Sequence, residues 1–218
     1  RFGTQKVEDV TAKKATSTAQ VPEILAQGCI PVLADPEGES IPILKPDVLV
    51  DAILAKKNLG TKITDAPVVI GVGPGFYAGR DCHAVVETMR GHYLGRVILD
   101  GEPIPNTNIP GLIGGYAGER VLRAPADGIF RQKLEIGAMV QAGDIAGEVE
   151  GVPMRCTIAG VLRGILPDET PVFKGMKSGD VDPRCELAHC YCASDKAIAV
   201  GGGVLQACLQ LTGVLKEK

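Results

Sequence analysis

Apolar and polar positions alternate in short blocks along the chain, and each block predicts one element of secondary structure. Residues 68–70 form an apolar β-branched run, which is typical of a strand covered on both faces. Residues 22–27, closed by Gly28, predict a short helix, and residues 29–35 predict a strand. Helices and strands that alternate in this way predict an α/β, Rossmann-like domain over residues 1–120.

Two further stretches have the spacing of helices. Residues 47–58 are apolar nearly all round, which predicts a buried helix. Asp51 lies in its apolar part, so its carboxylate needs a hydrogen-bonding partner or a polar cleft that holds a ligand. Lys56, near the helix end, either offsets the helix dipole or belongs to that cleft. A second helix is predicted over residues 82–89, with Asp81 as its N-cap.

Glycines fill the turn between the apolar strand and this second predicted helix. Gly73, Gly75 and Gly79 allow positive φ and bring backbone N–H groups close to a ligand. The N-terminus of a helix favours an anion, phosphate above all, so the turn predicts an anionic cofactor. The GVGPG segment is not the full dinucleotide fingerprint, and the alternative is a tight turn without a ligand.

Polar residues recur at helical spacing after the glycines. His83 and Glu87 are four residues apart and Arg90 follows three later, so all three share one face of the predicted helix. That face predicts a general acid or base, His83 or Glu87, beside an anion-binding arginine. The alternative is an ordinary solvated stripe.

A long segment rich in Pro, Gly and Asn follows the next predicted strand, at residues 95–99. Residues 100–120 exceed the usual length of a connection in a compact domain, and such loops are often part of a site. Asn106 and Thr107 have side chains that hydrogen-bond ligands. The alternative is a hinge that leads into the next domain.

An internal repeat predicts the fold of residues 121–183. Two halves of this segment each carry a similar turn and strand, ADGI at residues 126–129 and AGV at residues 159–161, followed by a valine and a glycine. Such halves resemble the all-β barrel-sandwich hybrid fold of biotinyl and lipoyl carrier domains. The carriers hold their cofactor on a lysine between the halves. Residues 150–156 contain no lysine, so we expect neither biotin nor lipoate.

The last segment, residues 184–218, combines a cysteine cluster with a helix. The cluster contains Cys190 and lacks the paired C-x2-C spacing of zinc sites, so no metal is expected. Its thiols, with Cys82, are either ordinary reduced cysteines or a relay that accepts sulfur or selenium. Asp195 begins a predicted helix that packs back on the α/β domain. The glycine triplet 201–203 predicts close approach of another backbone.

Composition narrows the class of protein. The 218 residues are 45% hydrophobic, which excludes a disordered chain, and 23 basic against 26 acidic residues give a net charge of −3, without the excess typical of nucleic-acid binding. Seven scattered cysteines, no long apolar segment and no export signal predict a cytoplasmic, reduced protein that neither spans nor binds a membrane. The start at Arg1 is compatible with N-terminal truncation.

Several long blocks resemble one family. They include KPDVLVDAILAKKNLGT, APVVIGVGPGFYAGRDCHAVVETMRGH, PNTNIPGLIGGYAGERVLRAPADG, GMKSGDVDPR and SDKAIAVGGGVLQA. The chain resembles the accessory protein of the selenium-dependent molybdenum hydroxylase system over nearly its whole length. The resemblance implies signature positions at Asp51, Lys56, Gly73, Gly75, Gly79, Asp81, His83, Glu87, Thr88, Arg90, Gly91, Asn106, Arg123, Asp195 and Lys196.

The resemblance also implies a role and a partner. The partner is a molybdenum hydroxylase such as xanthine dehydrogenase, and the ligand is a molybdenum cofactor, as a pterin dinucleotide, or a selenium species. A pyrophosphate suits a glycine turn at a helix N-terminus. We therefore expect a maturation factor that binds this anion at the turn. A scaffold that docks on the hydroxylase without a ligand, or a sulfur or selenium transferase using Cys82 or Cys190, are the alternatives; a homo-oligomer is compatible with each.

Overall fold

The computed structural model describes residues 3–107 and 110–214, and the chain divides into two compact units. Unit 1 combines residues 1–107 with residues 193–218, and unit 2 comprises residues 108–192. Unit 1 therefore contains segments from both sides of unit 2 in the sequence. Each unit has its own sheets and its own apolar core.

The first part of unit 1 is a small three-stranded sheet. Its elements, in chain order, are β1 (Thr4–Val7), β2 (Val10–Ala15), α1 (Val21–Ala26) and β3 (Ile30–Leu33), followed by α2 (Ser40–Leu44). β1 and β2 form a hairpin, and β3 pairs parallel to β2 because α1 carries the chain back. The predicted helix at residues 22–27 and the predicted strand at 29–35 are confirmed by α1 and β3.

The second sheet of unit 1 carries the candidate site. It consists of β4 (Val48–Asp51), β5 (Val68–Val72), β6 (Ala84–Val86) and β7 (Val97–Ile98), in that spatial order. β4, β5 and β6 run parallel, and β7 is antiparallel to β6. Every residue of β5 and β6 is buried, as expected for parallel strands covered on both faces. β5 and β7 confirm the strands predicted at residues 68–70 and 95–99.

One face of this sheet is covered by the longest helix, α3 (Asp195–Leu211), which confirms the helix predicted to begin at Asp195. The side chain of Ser194 accepts a hydrogen bond from the N–H of Ala197 and caps the helix. Val204, Ala207 and Leu211 of α3 pack against the sheet. Among the helices of the described residues, none has the length and apolar character needed to cross a bilayer.

The glycine triplet of α3 divides into two kinds of position. A Cβ on Gly203 would overlap the carbonyl oxygen of Gly95 and lie 2.8 Å from Cγ1 of Val86, whereas Gly201 and Gly202 have no atom within 4 Å of that position. Of these three positions, packing therefore requires glycine only at residue 203. The predicted close approach of another backbone is confirmed at this one residue.

The Rossmann-like α/β prediction is wrong. The described residues form four sheets and only three α-helices, and no helix connects the parallel strands across residues 52–67 and 73–83, all of which are described. The helix predicted at 47–58 is strand β4 followed by a loop in which Lys56 takes φ 65°. The helix predicted at 82–89 is strand β6. Pairing with β5 buries valines that fit a pleated surface, and this outweighs helical spacing.

Unit 2 consists mainly of short strands. They are β8 (Val121–Arg123), β9 (Gly128–Gln132), β10 (Met139–Val140), β11 (Ile145–Val149), β12 (Val152–Arg155), β13 (Gly160–Ile165), β14 (Thr170–Val172) and β15 (Lys177–Asp182). One four-stranded sheet has the order β10-β13-β15-β8 and the other has the order β14-β9-β11-β12. If each strand of one sheet is replaced by the strand four places earlier or later in the chain, the strand order of the other sheet results. The two sequence halves therefore occupy equivalent positions.

The core of unit 2 lies between its two sheets. Phe130, Leu162 and Val181 are fully buried there, and residues from both sheets join them in a single cluster. A Cβ on Gly160 would overlap the carbonyl oxygen of Asp182, so this position requires glycine. The repeated glycines after the two valines differ from it, because Gly143 and Gly175 have no atom within 4 Å of a Cβ and take φ values of 98° and 85°.

Candidate functional site

The candidate site lies at one edge of the parallel sheet in unit 1. Parallel strands end at the same edge, and the register pairs Asp51 with Gly71 and Val72 with Val86, so the ends of β4, β5 and β6 are neighbours. Ligands in open α/β sheets bind at the carboxyl ends of the strands. We call this side the carboxyl edge and the opposite side the amino edge.

Asp51 ends β4 and holds the loop that follows it. Its carboxylate accepts hydrogen bonds from the N–H of Ile53 at 3.1 Å and from Oγ1 of Thr61 at 2.6 Å. The side chain is 9% exposed, so these partners compensate its burial. Asp51 therefore positions the loop that carries Lys56. Thr61 was not predicted, because a single threonine in a polar loop gives no distinctive sequence signal.

Glu87 directly follows β6 and is buried to 2% exposure. Its carboxylate accepts hydrogen bonds from the N–H of Met89 at 2.7 Å and from the N–H of Ile104 at 2.8 Å. The second bond fixes the segment that leads to Asn106. Both carboxylate oxygens are therefore engaged in holding backbone, and the geometry gives Glu87 a positioning function at this edge.

The glycines after β5 are required by close contacts. Gly73 has φ 81°, and a Cβ there would lie 2.8 Å from Oγ1 of Thr88. Gly75 has φ 112°, and a Cβ there would lie 2.6 Å from Cα of Lys57. The backbone of the turn therefore packs against the ends of both neighbouring strands, and a larger residue at either position would force them apart.

Most amides of this turn, which was predicted to hold an anion, are bonded within the protein. The N–H of Gly73 donates to the carbonyl of Val86 at 2.9 Å. The N–H groups of residues 77–81 donate to acceptors within unit 1, namely the side chain of Asp81 and the carbonyls of Tyr77, Cys82 and Gly101. These six amides are therefore engaged within the protein and are not available to an anion.

A cavity of about 370 Å³ opens beside the turn. Its walls are formed by seven residues: Lys56, Pro74, Gly75, Glu102, Pro103, Pro105 and Asn106. Three of the predicted cofactor-binding residues, Lys56, Gly75 and Asn106, therefore surround one space. Glu102 was not predicted, although it belongs to the Pro-rich segment that was predicted to contribute to a site.

Three cationic side chains lie in this region: Lys56 after β4, Arg90 after β6 and Lys196 in the first turn of α3. Burial lowers the pKa of Lys196, and the positive charges of Lys56 and Arg90 lower it further, while Glu87 and Asp195 act in the opposite direction. Four charged side chains are thus close enough to influence Lys196. The helix N-terminus at the site belongs to α3, not to residues 82–89.

Arg90 is tied to the first turn of α3. Its guanidinium donates to both carboxylate oxygens of Asp195, at 2.6 and 3.1 Å. The pair is largely solvent-exposed, so it contributes little to stability. Its effect is to join the end of β6 to α3.

The predicted face of His83, Glu87 and Arg90 does not exist, because His83 lies at the amino edge. The chain from His83 to Glu87 is a strand, and four extended residues span about 13 Å. Nδ1 of His83 accepts a hydrogen bond from the N–H of Val69 at 3.0 Å, so a neutral imidazole carries its proton on Nε2. His83 thus pairs with the start of β5.

Asp81 and Gly79 also lie at the amino edge, where they close a turn. The carboxylate of Asp81 accepts a hydrogen bond from the N–H of Tyr77 at 2.9 Å and pairs with Arg80 at 3.0 Å. The hydrogen bond from the side chain of Arg80 is the main cause that lowers the pKa of Asp81. Gly79 takes φ 87° in the same turn. Asp81 is therefore a turn acceptor and not the N-cap of a helix.

The two candidate thiols are far from ionised at neutral pH. Cys82 is 0% exposed, and burial raises its pKa to about 11. Burial also raises the pKa of Cys190, which belongs to unit 2. Thiolate is the nucleophilic form, so neither environment activates sulfur. Within residues 3–107 and 110–214, no group of three or more His, Cys, Asp or Glu side chains is arranged to hold a metal ion.

Comparisons with known proteins identify a similar protein of unestablished function. The chain is 48% identical over 209 residues to the uncharacterized protein YqeB of Escherichia coli strain K12. The match covers 96% of this chain and 39% of YqeB, so the chain spans about two fifths of that protein's length. No model of a known protein family matches the chain.

Two solved structures have partial similarity. An aspartoacylase family protein of Mesorhizobium loti has 18% identity and a TM-score of 0.27, over 29% of this chain and 23% of that one. The product-bound ectoine utilization protein EutE (DoeB) of Ruegeria pomeroyi has 23% identity and a TM-score of 0.26, over 38% and 27%. Scores this low support no conclusion about fold or function.

Proposed function

We propose that this protein is a cytoplasmic maturation factor for selenium-dependent molybdenum hydroxylases, which binds an anionic cofactor or a selenium donor at the carboxyl edge of unit 1. The observation that carries the proposal is the cavity bounded by Lys56, Gly75 and Asn106 at the ends of the parallel strands. The family resemblance supplies the system, and the cavity supplies a place for a ligand.

The chemistry of the cavity suits a pterin dinucleotide. Its pyrophosphate needs cationic partners, which Lys56 offers within the wall and Lys196 offers nearby. Prolines in the wall provide apolar surface for a ring system. The residues themselves have binding and positioning functions in this proposal, because Glu87 and Asp51 are engaged with their own backbone or neighbours.

The experiment uses a host strain in which the gene of this protein is replaced. Lys56→Met removes the charge from the cavity wall, and Lys57→Met removes an equivalent exposed charge from the next residue, which is not among the lining residues. We expect selenium content and activity of the hydroxylase to fall with Lys56→Met and to persist with Lys57→Met. Equal activity in the two strains, at equal protein levels, would contradict the proposed function.

A scaffold that docks on the hydroxylase without a small ligand is the second candidate. It is favoured by exposed apolar side chains on unit 2, since Phe173 is 64% exposed and Met139 also lies largely in solvent. Co-purification with the hydroxylase that survives Lys56→Met but is lost with Phe173→Ser would favour it. The transferase alternative receives no comparable support, because burial keeps Cys82 and Cys190 protonated.

A further inference from the structure

Two lysines from distant parts of the sequence lie within electrostatic reach of each other at the carboxyl edge. Lys56 projects from the loop after β4 and lines the cavity, and Lys196 follows the N-cap of α3. Different contacts hold the two lysines in place. A hydrogen bond of Asp51 fixes the loop that carries Lys56, and close packing of Gly203 against Gly95 positions the helix that carries Lys196. Asp195, the residue before Lys196, bonds to Arg90 after β6, so both lysines lie at the carboxyl edge, although Lys196 is not among the residues that line the cavity.

Neither lysine forms a salt bridge with a carboxylate in residues 3–107 or 110–214. Among the residues that the structure describes, no carboxylate lies within 4.0 Å of the ammonium nitrogen of Lys56 or Lys196. Two neighbouring carboxylates are engaged elsewhere, since Glu87 accepts two backbone N–H groups and Asp195 pairs with Arg90. A third carboxylate, that of Glu102, lies in the wall of the cavity itself. Uncompensated like charges at a half-buried position oppose folding, and the charge repulsion from Lys56 adds to burial in lowering the pKa of Lys196.

A ligand with two negative charges would remove this repulsion. We propose that Lys56 and Lys196 together bind a phosphate or pyrophosphate group of the ligand in the carboxyl-edge cavity. This inference rests on the proposed function, because it takes the same cavity as the ligand site. It names the charged group that is recognised and adds Lys196, to which the sequence pattern assigned no chemistry.

Phosphate fits these donors better than the alternatives. A lysine ammonium is a compact point charge with three hydrogen-bond donors. Two lysines together match the two negative charges of a phosphate dianion. A carboxylate would compensate only one. The cavity, at about 370 Å³, is within the size range of small-molecule sites, so the phosphate can be part of a larger ligand.

Calorimetry at low ionic strength tests the pair with inorganic pyrophosphate as the probe. We expect the intact chain to bind it, and Lys56→Met and Lys196→Met each to weaken the affinity about ten-fold or more, because each removes one charge-assisted contact. Lys57→Met is the matched control and should change the affinity less than about two-fold. Lys196→Arg should restore most of it. Circular dichroism verifies the fold of every variant.

Inorganic phosphate and a pterin dinucleotide serve as further probes. Tighter binding of the dinucleotide, with the same dependence on both lysines, assigns the phosphate to a nucleotide ligand; equal affinity for inorganic phosphate assigns it to free phosphate. The inference is overturned if the intact chain binds none of the three, or if Lys57→Met weakens binding as much as Lys196→Met.

Different outcomes would contradict the proposed function and the phosphate site. Loss of pyrophosphate binding in Lys196→Met, together with full hydroxylase maturation in the host, would leave the phosphate site intact as a finding and remove the maturation role. Conversely, maturation that depends on Lys56 in a chain that binds no phosphate probe would remove the phosphate site alone.

Discussion

The two edges of the parallel sheet in unit 1 differ in how their polar groups are used. At the amino edge, His83 and Asp81 are both bonded to the nearby backbone, and Cys82 is closed off from solvent. At the carboxyl edge a cavity opens beside Gly75, and two lysines have no carboxylate partner among the described residues. The polar groups of the amino edge are therefore bonded within a turn, whereas the carboxyl edge has a cavity and cationic side chains.

This difference follows from strand direction. A parallel strand delivers the residues before it to one edge and those after it to the other, so four positions in sequence separate His83 from Glu87 by the length of β6. Residues far apart in sequence, such as Asp51 and Arg90, are brought to the same side. Whether two polar residues of this sheet can act together therefore depends on whether they lie at the same edge.

The largest expected effect comes from the seat of α3, which brings Lys196 to the carboxyl edge. Gly203→Ala places a methyl group against the backbone of Gly95, and we expect a loss of about 3 kcal/mol in the free energy of unfolding. Gly202→Ala, on the open side of the helix, should instead gain up to about 1 kcal/mol through helix propensity. Urea unfolding measures both. Changes of the same sign would contradict the assigned packing.

A somewhat smaller loss is expected when an edge loses its buried acceptor. Glu87→Ala leaves the N–H groups of Met89 and Ile104 without partners, and we expect a loss of about 2–3 kcal/mol. His83→Ala, at the amino edge, leaves only the N–H of Val69 and should lose about 1 kcal/mol. Hydrogen exchange at residues 102–107 should increase in Glu87→Ala alone. An equal increase in both variants would show that the edges are not independent.

The thiol of Cys82 makes the free energy of unfolding depend on pH. Its pKa is about 11 in the folded chain against an ordinary 9.0, so between these values the unfolded chain releases a proton that the folded chain retains. Stability from this group is complete below pH 9 and falls as the pH rises toward 11, by about 2–3 kcal/mol. Cys82→Ala should show a shallower decline over that window in parallel unfolding series, and identical slopes would refute the shift.

The smallest effects are expected from the exposed ion pair at each edge. Double-mutant cycles on Arg90 with Asp195, and on Arg80 with Asp81, should each give a coupling free energy below about 1 kcal/mol. Both couplings should weaken in high salt. A coupling well above this for Arg90 and Asp195 would mean that the pair, and not the packing of Gly203, holds α3 in place.

The sequence was most informative where one residue pattern admits one structure. Three consecutive β-branched residues at 68–70 predict a buried strand, which the structure contains, and the helix predicted to begin at Asp195 is also present. The apolar residues of β4 and β6 fit both a strand and a helix turn, and only pairing with β5 decides between them. Local spacing therefore predicted two helices that do not form.

The candidate site shows the same limit. Asp51, Lys56, Gly75 and Arg90 were selected individually by residue type, and the structure places them at one edge. The predicted grouping of Glu87 and Arg90 with His83 was wrong because it assumed a helix where the chain is extended. Lys196 was implied by the resemblance without a function, since nothing in its local sequence relates it to a loop that precedes it by so many residues.

The composition of unit 1 from residues 1–107 and residues 193–218 has a consequence for synthesis on the ribosome. All strands of unit 2 emerge before α3, so the nascent chain can complete that unit while the parallel sheet still lacks its covering helix. At about 5–20 residues per second, the interval lasts several seconds. During that time the valines of β5 and β6 are open to chaperones, and Lys196 reaches its neighbours only after translation has passed the whole of the inserted unit.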